Sequence, residues 1–308
     1  MKLIYCSSPI NNRIVESDYE NEYKYALENG FDVQLINFEE LLNKNIEKSL
    51  KNIVRNDNTE SAIFRGWMLK PEYYELLYNG LKDKNIKLIN NPDEYINCHF
   101  FPYSYEIIKE NSPKSICFEI KEKINFDEVM EKLKVFNGKS IIIKDYVKSQ
   151  KHKWKEACFI NSSNDKNEVK KIVNKFIELQ GAELNKGLVF REYHELEFIG
   201  EHSKSKMPLT KEYRMFFLNG ELITKYNYWD EGFYTSELHN LDKFISIASK
   251  IKSNFFTMDI AKTINGEWLI IELGDAQVSG LPDNADINQF YSKLFSLIKN
   301  SAIKNSNF

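Results

Sequence analysis

Residues 255–275, FFTMDIAKTINGEWLIIELGD, set two carboxylates into two apolar strands joined by a tight turn. Asp259 ends one apolar run, Ile264-Asn265-Gly266 supplies the turn chemistry, and Trp268-Leu269-Ile270-Ile271 leads straight into Glu272. A carboxylate in an apolar strand is costly unless it is paired, hydrogen-bonded or metal-bound. Two such acids a hairpin apart are therefore a candidate site for a divalent cation, with Asp275 as a third oxygen donor. The alternative is a half-exposed hairpin that carries an acid at each strand end, and the residues upstream bear on the choice.

Lys144 follows Ile141-Ile142-Ile143, a short run that reads as a buried strand, so the lysine emerges where strand gives way to loop. The loop, residues 145–154 (DYVKSQKHKW), carries Lys148, Lys151 and Lys153 beside Ser149 and His152. Such charge suits a polyanion such as a triphosphate, although a solvated basic loop has the same composition. Next, the apolar run Gly187-Leu188-Val189-Phe190 turns polar through Arg191-Glu192-Tyr193-His194-Glu195-Leu196-Glu197. A segment of this kind can offer backbone N–H and C=O groups to a flat heterocycle while acidic side chains reach a ribose. Glu212-Tyr213-Arg214 then heads a strand to Leu218, Asn219-Gly220 signals a type I′ hairpin, and Glu221 to Thr224 returns.

A strand lysine, a basic loop, a strand with an acidic exit, an E-x-R hairpin, and then Asp and Glu a hairpin apart together resemble the ATP-grasp superfamily of carboxylate-amine ligases. The resemblance implies an α+β ATP-grasp fold over residues 105–308, with a central subdomain at about 105–186 and a C-terminal one at about 187–308. It implies ATP and Mg2+ as cofactors. Lys144 then matches the phosphate-binding strand lysine, with Lys148, Lys151 and Lys153 beside it. Arg191, Glu192, Tyr193 and His194 match the hinge whose backbone holds adenine, and Glu195 or Glu197 would take the ribose hydroxyls. Arg214 matches the arginine that steadies phosphates and developing charge, which makes it and Lys144 the implied catalytic residues. Asp259 and Glu272 match the magnesium-binding acids. Two features depart from the family pattern: the loop after Lys144 has no glycine, and Glu272-Leu273-Gly274 stands where the family reads Glu-x-Asn. Asp275, or else Gln277, would have to compensate. Residues 271–282, IELGDAQVSGLP, resemble an uncharacterised bacterial and phage-associated branch of the superfamily.

The N-terminal third alternates strands (residues 2–6, 32–36, 61–64 and 86–89) with helices (17–29 and 71–81), and Asn91-Pro92 opens a further helix. This pattern predicts a small parallel α/β sheet, residues 1–104, ahead of the ATP-grasp domain. Ligands of open parallel sheets sit beyond the carboxyl ends of the strands. Arg65-Gly66-Trp67 occupies such a place, which makes Arg65 a candidate grip on a substrate carboxylate, or else a surface arginine beside a packing tryptophan.

At 308 residues the chain has room for about two domains. A net charge of −3 gives no reason to expect nucleic acid or an anionic membrane as partner. The cysteines, Cys6, Cys98, Cys117 and Cys158, form no C-x-x-C pair, and the histidines have no zinc spacing, which fits a reducing cytoplasm without disulfides or zinc. No apolar run reaches membrane-spanning length, and residues 304–308 are the one stretch expected to lack structure. G-x-S-x-G, G-x-G-x-x-G and Walker motifs are absent. The expected function is an ATP-dependent ligase that joins a small-molecule or peptide carboxylate to an amine through an acylphosphate. An ATP-binding regulator, or a phosphotransferase using the same site, is the alternative. The oligomeric state is left open, a homodimer included.

Overall fold

The computed structural model describes residues 1–120, 124–204, 207–234 and 241–306, with side chains described to residue 300; His239 and residues 307–308 lie outside them. Its first sheet is built from strands β1 (Lys2–Cys6), β2 (Asp32–Ile36), β3 (Glu60–Arg65) and β4 (Ile86–Leu88) in the order β2-β1-β3-β4. Every pairing in it is parallel. β1 and β3 are apolar on both faces and buried, as strands covered by helices must be. Helix Pro71–Lys82 turns Tyr74, Leu77 and Leu81 inward. Helix Pro92–His99 starts at a capping box between Asn91 and Glu94, with proline in its first turn where no intrahelical N–H is required.

The middle sheet contains β5 (Ser115–Glu119), β6 (Ile141–Asp145), β7 (Phe159–Ile160) and β8 (Gly187–Glu192), ordered β5-β8-β6-β7 and antiparallel throughout. Helix Lys166–Gln180, capped by Asp165, covers one face with Val169, Ile172, Val173 and Phe176. The two short strands β9 (Phe198–Glu201) and β10 (Pro208–Thr210) pair beside it in the chain. The last sheet is β11 (Glu212–Leu218), β12 (Glu221–Asn227), β13 (Phe255–Lys262) and β14 (Trp268–Asp275), ordered β12-β11-β13-β14. Asn219 and Gly220 both take positive φ, 50° and 78°, as a type I′ turn requires, and asparagine and glycine tolerate that region best. The final helix, Ile287–Ser306, extends beyond the point at which the sequence predicts loss of structure.

The first and last sheets share a core. Leu3, Tyr5 and Ile63 pack in one cluster with Phe216, Leu218, Phe255, Phe290 and Tyr291. Two polar ties cross the same boundary. Asn90, fully buried after β4, donates to the Phe255 carbonyl (2.8 Å) and to Asp275 Oδ2 (2.6 Å). Its own carbonyl accepts from the N–H groups of Asn254 (2.8 Å) and Phe255 (3.1 Å).

The second tie corrects the expectation for Arg65. Its side chain is 1 % exposed and turns inward, with Nε and Nη2 on the Glu22 carboxylate at 2.9 and 2.8 Å and Nη1 on the carbonyls of Ala276 and Ser279. Tyr291 donates its hydroxyl to Glu22 and accepts from Tyr5 at 2.8 Å. Arg65 thus fastens the end of the first sheet to the loop after β14 instead of gripping a substrate. A buried, paired guanidinium explains this: removing it would strand the Glu22 carboxylate away from water. Arg65→Ala is therefore expected to cost about 3–5 kcal/mol of stability, read as a lower urea midpoint. A variant as stable as the wild type would contradict the fastening role.

Candidate functional site

Arg214, Asp259 and Glu272 lie in one row across three strands, because Arg214 is the register partner of Asp259 and Asp259 that of Glu272. Lateral neighbours in a sheet point to the same face, so a single register fixes all three side chains together. Arg214 grips Asp259 with both ends of its fork, Nε to Oδ1 at 2.8 Å and Nη2 to Oδ2 at 2.7 Å. At the other end of the row, Lys144 leaves β6 and donates to Glu272 Oε1 at 2.7 Å. Burial alone would lower the Arg214 pKa, but the Asp259 carboxylate outweighs it and the value is raised. Burial would likewise raise that of Glu272, and the Lys144 ammonium, helped by Lys151 and Arg191, brings it below its ordinary value. Two cations and two carboxylates thus face one another along the row.

Beside it a cavity of about 490 Å³ opens between the middle and last sheets. Ile142, Trp154 and Cys158 wall it on one side and Trp229 and Ile271 on the other, while Arg191, Glu192, Tyr193, His194 and Glu195 run along it. The sequence-predicted hinge therefore borders the cavity, whereas its apolar walls were missed. Ile142 reads in the sequence only as part of a buried apolar run, which does not mark it as a wall residue. Glu212, which the sequence marks only as the first residue of the E-x-R hairpin, is also in the lining; burial raises its pKa, partly opposed by Lys151. Of the loop lysines Lys151 lines the cavity, facing Glu212, Glu272 and Asp259, and Lys148 and Lys153 stand outside it. The two ribose candidates also separate. Glu195 lines the cavity, while Glu197 is bound by Lys211 (3.2 Å) and Lys262 (2.7 Å).

The loop needs no glycine, since none of residues 146–154 has a positive φ. Buried Asp145 shapes it instead. Its Oδ1 accepts from the N–H groups of Val147 (2.6 Å) and Lys148, and its Oδ2 from Gln180 Nε2 (3.0 Å) and both nitrogens of Asn185 (3.0 and 2.9 Å).

Among the described residues no group of three or more His, Cys, Asp or Glu is placed to hold a metal ion. The adjacent carboxylates of Asp259 and Glu272 nonetheless fit magnesium, which usually takes one or two protein carboxylates and completes its shell with water and substrate phosphate. Asp275 does not join them. It is fully buried and bound by Asn90, by the Gln277 N–H at 2.9 Å and by Gln277 Nε2 at 3.2 Å. Gln277, also fully buried, reaches Tyr74 as well, so neither residue replaces the family asparagine. A side chain at position 274 would force its neighbours to shift, because a Cβ there would lie 2.8 Å from both Ser279 Oγ and Thr257 Oγ1. The expectation of a compensating third donor is thus corrected to a pair of acids.

Burial pushes the Asp275 carboxyl up to about 7, against an ordinary value of 3.8. The folded state then holds a proton that the unfolded chain releases. The resulting stabilisation is fully present below about pH 4 and is lost as pH rises through about 7. The stability of the wild type relative to Asp275→Asn is accordingly expected to fall between pH 5 and pH 8, measured as the difference in urea midpoints; a difference that is flat with pH would show that Asp275 is ionised throughout.

Residues 136–294 match the family model described as ATP-grasp domain, R2K clade family 3. No curated protein matches the sequence. Among solved structures, D-alanine–D-alanine ligase from Bacillus anthracis complexed with ATP is similar at 16 % identity and a TM-score of 0.58, over 100 % of this chain and 98 % of that one. The D-cycloserine synthetase DcsG aligns with a TM-score of 0.58 at 9 % identity, covering 97 % of this chain and 100 % of that one. The ATP-grasp ligase PsnB, complexed with minimal precursor, Mg and ADP, aligns with a TM-score of 0.55 at 11 % identity, covering 96 % and 98 %. At these identities the likeness is one of fold.

Proposed function

Because the chain belongs to the ATP-grasp domains of the R2K clade, family 3, and carries the fold of ATP-dependent ligases, we propose that it joins a carboxylate to an amine at the expense of ATP. The observation that carries this reading is the charged row of Arg214, Asp259, Glu272 and Lys144, close in the chain to residues that line the cavity, Glu212 and Ile271, with the lining Lys151 within electrostatic reach of Asp259 and Glu272. The base and ribose occupy the cavity, against the hinge backbone and Glu195, and the phosphates reach toward the row. Asp259 and Glu272 would hold magnesium, which would supply positive charge to neutralise the phosphates.

A substrate carboxylate oxygen attacks the γ-phosphorus and the bond to the β–γ bridging oxygen breaks, which yields an acylphosphate and ADP. The amine nitrogen then attacks the acyl carbon, loses a proton, and inorganic phosphate departs. The protein's part is to position the groups and to balance charge. Lys144 and Lys151 lie along the route of the phosphates, and Arg214 stabilises the group in transfer. Lys144 and Arg214 are each already held in place by an acid of the row, which orients them before any phosphate arrives. The acid and amine are small molecules or peptides. The solved neighbours include both a D-alanine–D-alanine ligase and a ligase complexed with a precursor peptide. Among the described residues no helix is long and apolar enough to cross a membrane, and a cytoplasmic enzyme with ready access to ATP is the setting we propose.

The test is a panel of amino acids and short peptides, mixed with ATP, magnesium and hydroxylamine and read by ADP release and by hydroxamate mass. An activated acid is expected to yield its hydroxamate, and Glu272→Gln to lower turnover by a hundredfold or more, on the order of the loss of one strong electrostatic contact in the transition state. If ATP binds but no acid stimulates ADP release, the ligase reading fails in favour of an ATP-binding regulator. If a hydroxyl compound stimulates release and becomes phosphorylated, the reaction is phosphotransfer.

A further inference from the structure

Arg191 closes β8 and is 3 % exposed. Its Nη1 donates to the Ile271 carbonyl at 2.7 Å, and the guanidinium lies over the Phe101 ring, 4.5 Å from the centroid. Nε and Nη2 are buried and make no hydrogen bond. This sets it apart from the other arginines of the interior, since Arg65 and Arg214 each grip a carboxylate with two nitrogens. A guanidinium held away from water with neither a counter-ion nor a full set of acceptors is among the costliest groups a protein can bury. Burial accordingly pulls the Arg191 pKa down, and the Glu272 charge opposes this only in part. The planar fork that remains unfilled is the geometry that suits the oxygens of a phosphate.

The register shows where such an anion would lie. Arg191 is paired with Ile142 on β6, so the two side chains share a face, and both residues line the cavity. Lys144 follows on the same face two residues along, opposite Val189, and ends at Glu272. From the hinge outward the cations therefore come in the order Arg191, Lys144, with the acids of the row beyond. A nucleotide whose base rests on the hinge meets Arg191 with its first phosphate and Lys144 with those that follow.

We propose that the Arg191 side chain, and not just the backbone of the hinge, binds the nucleotide, with its free guanidinium nitrogens taking the α-phosphate. The inference rests on the ATP-binding reading above. The phosphate supplies the charge and the acceptors that Arg191 lacks, so nucleotide binding also relieves a cost that the empty site carries.

The full-length chain and its Arg191→Met and Arg191→Lys variants are titrated calorimetrically with adenosine, ADP and ATP in the presence of magnesium. For Arg191→Met the Kd of ADP and of ATP is expected to rise by about tenfold or more, the size of one charge-assisted contact, while that of adenosine stays within about twofold. Arg191→Lys keeps the charge but loses the fork, and is expected to lie between the wild type and Arg191→Met. Should Arg191→Met fail to fold, Arg191→Lys decides: weaker ADP with unchanged adenosine supports the proposal. Equal loss of adenosine and ADP would make Arg191 a strut between β8 and β14 that only shapes the cavity, and unchanged binding of all three would remove any role; either result overturns the proposal. An unsubstituted chain that fails to bind ATP would instead bring down the nucleotide reading itself.

Discussion

One buried amide holds the two ends of the molecule in register. Asn90 sits at the carboxyl edge of the parallel sheet with its oxygen on two backbone N–H groups at the start of β13 and its nitrogen shared between a β13 carbonyl and the Asp275 carboxylate that ends β14. A fully buried amide must satisfy its donors and acceptors or lose several kcal/mol. Few chain arrangements satisfy these, so the hairpin that carries Asp259 and Glu272 is pinned at its open end to the preceding sheet. The Arg65–Glu22 pair pins the loop that follows, and Arg214 reaches the same loop through the Gly280 carbonyl at 3.1 Å. The charged row inherits its position from these contacts.

The charges in the interior divide by the completeness of their partners. Arg65, Asp145 and Asp275 are satisfied by other residues of the chain and serve as fastenings. Arg214, Lys144, Asp259 and Glu272 are satisfied as well, but in pairs with one another, Arg214 with Asp259 and Lys144 with Glu272. Arg191 is satisfied only in part. Residue type does not distinguish these cases: Asp259 and Asp275 both end apolar stretches of the same hairpin, and only the neighbours that Asn90 and Arg214 supply separate them.

The same division marks how far the sequence could be read. Strands such as β1, β2 and β13 were legible because apolar runs and turn residues are local signals, and Lys144, Arg214 and the two acids were legible because each stands where an apolar run meets polar chain. Residues 155–186 drew no assignment to a helix, although KNEVKKIVNKFIELQ behind Asp165 carries both an apolar stripe and a cap. Arg65 and Asp275 were misplaced for a different reason. Their partners, Glu22 and Asn90, are distant in the chain, and a strand-end charge reads alike whether it faces a crevice or a remote counter-charge. Gly274 reads in the sequence as a lost ligand, whereas in the fold a Cβ there would crowd Thr257 and Ser279.

The balance within the charged row has a kinetic consequence. Arg214, Asp259, Glu272 and Lys144 sum to zero, so the row exerts little pull on an anion still in solution; its field is that of alternating charges and fades quickly with distance. Long-range attraction would fall to lysines that take no part in the row, such as Lys148 and Lys153, which are exposed and stand outside the cavity lining. At physiological salt their influence extends over roughly 8 Å, enough to guide a nucleotide through the last approach. Capture and retention would then fall to different residues: ionic strength would act mainly on how fast a polyanion arrives, and the buried groups on how long it stays.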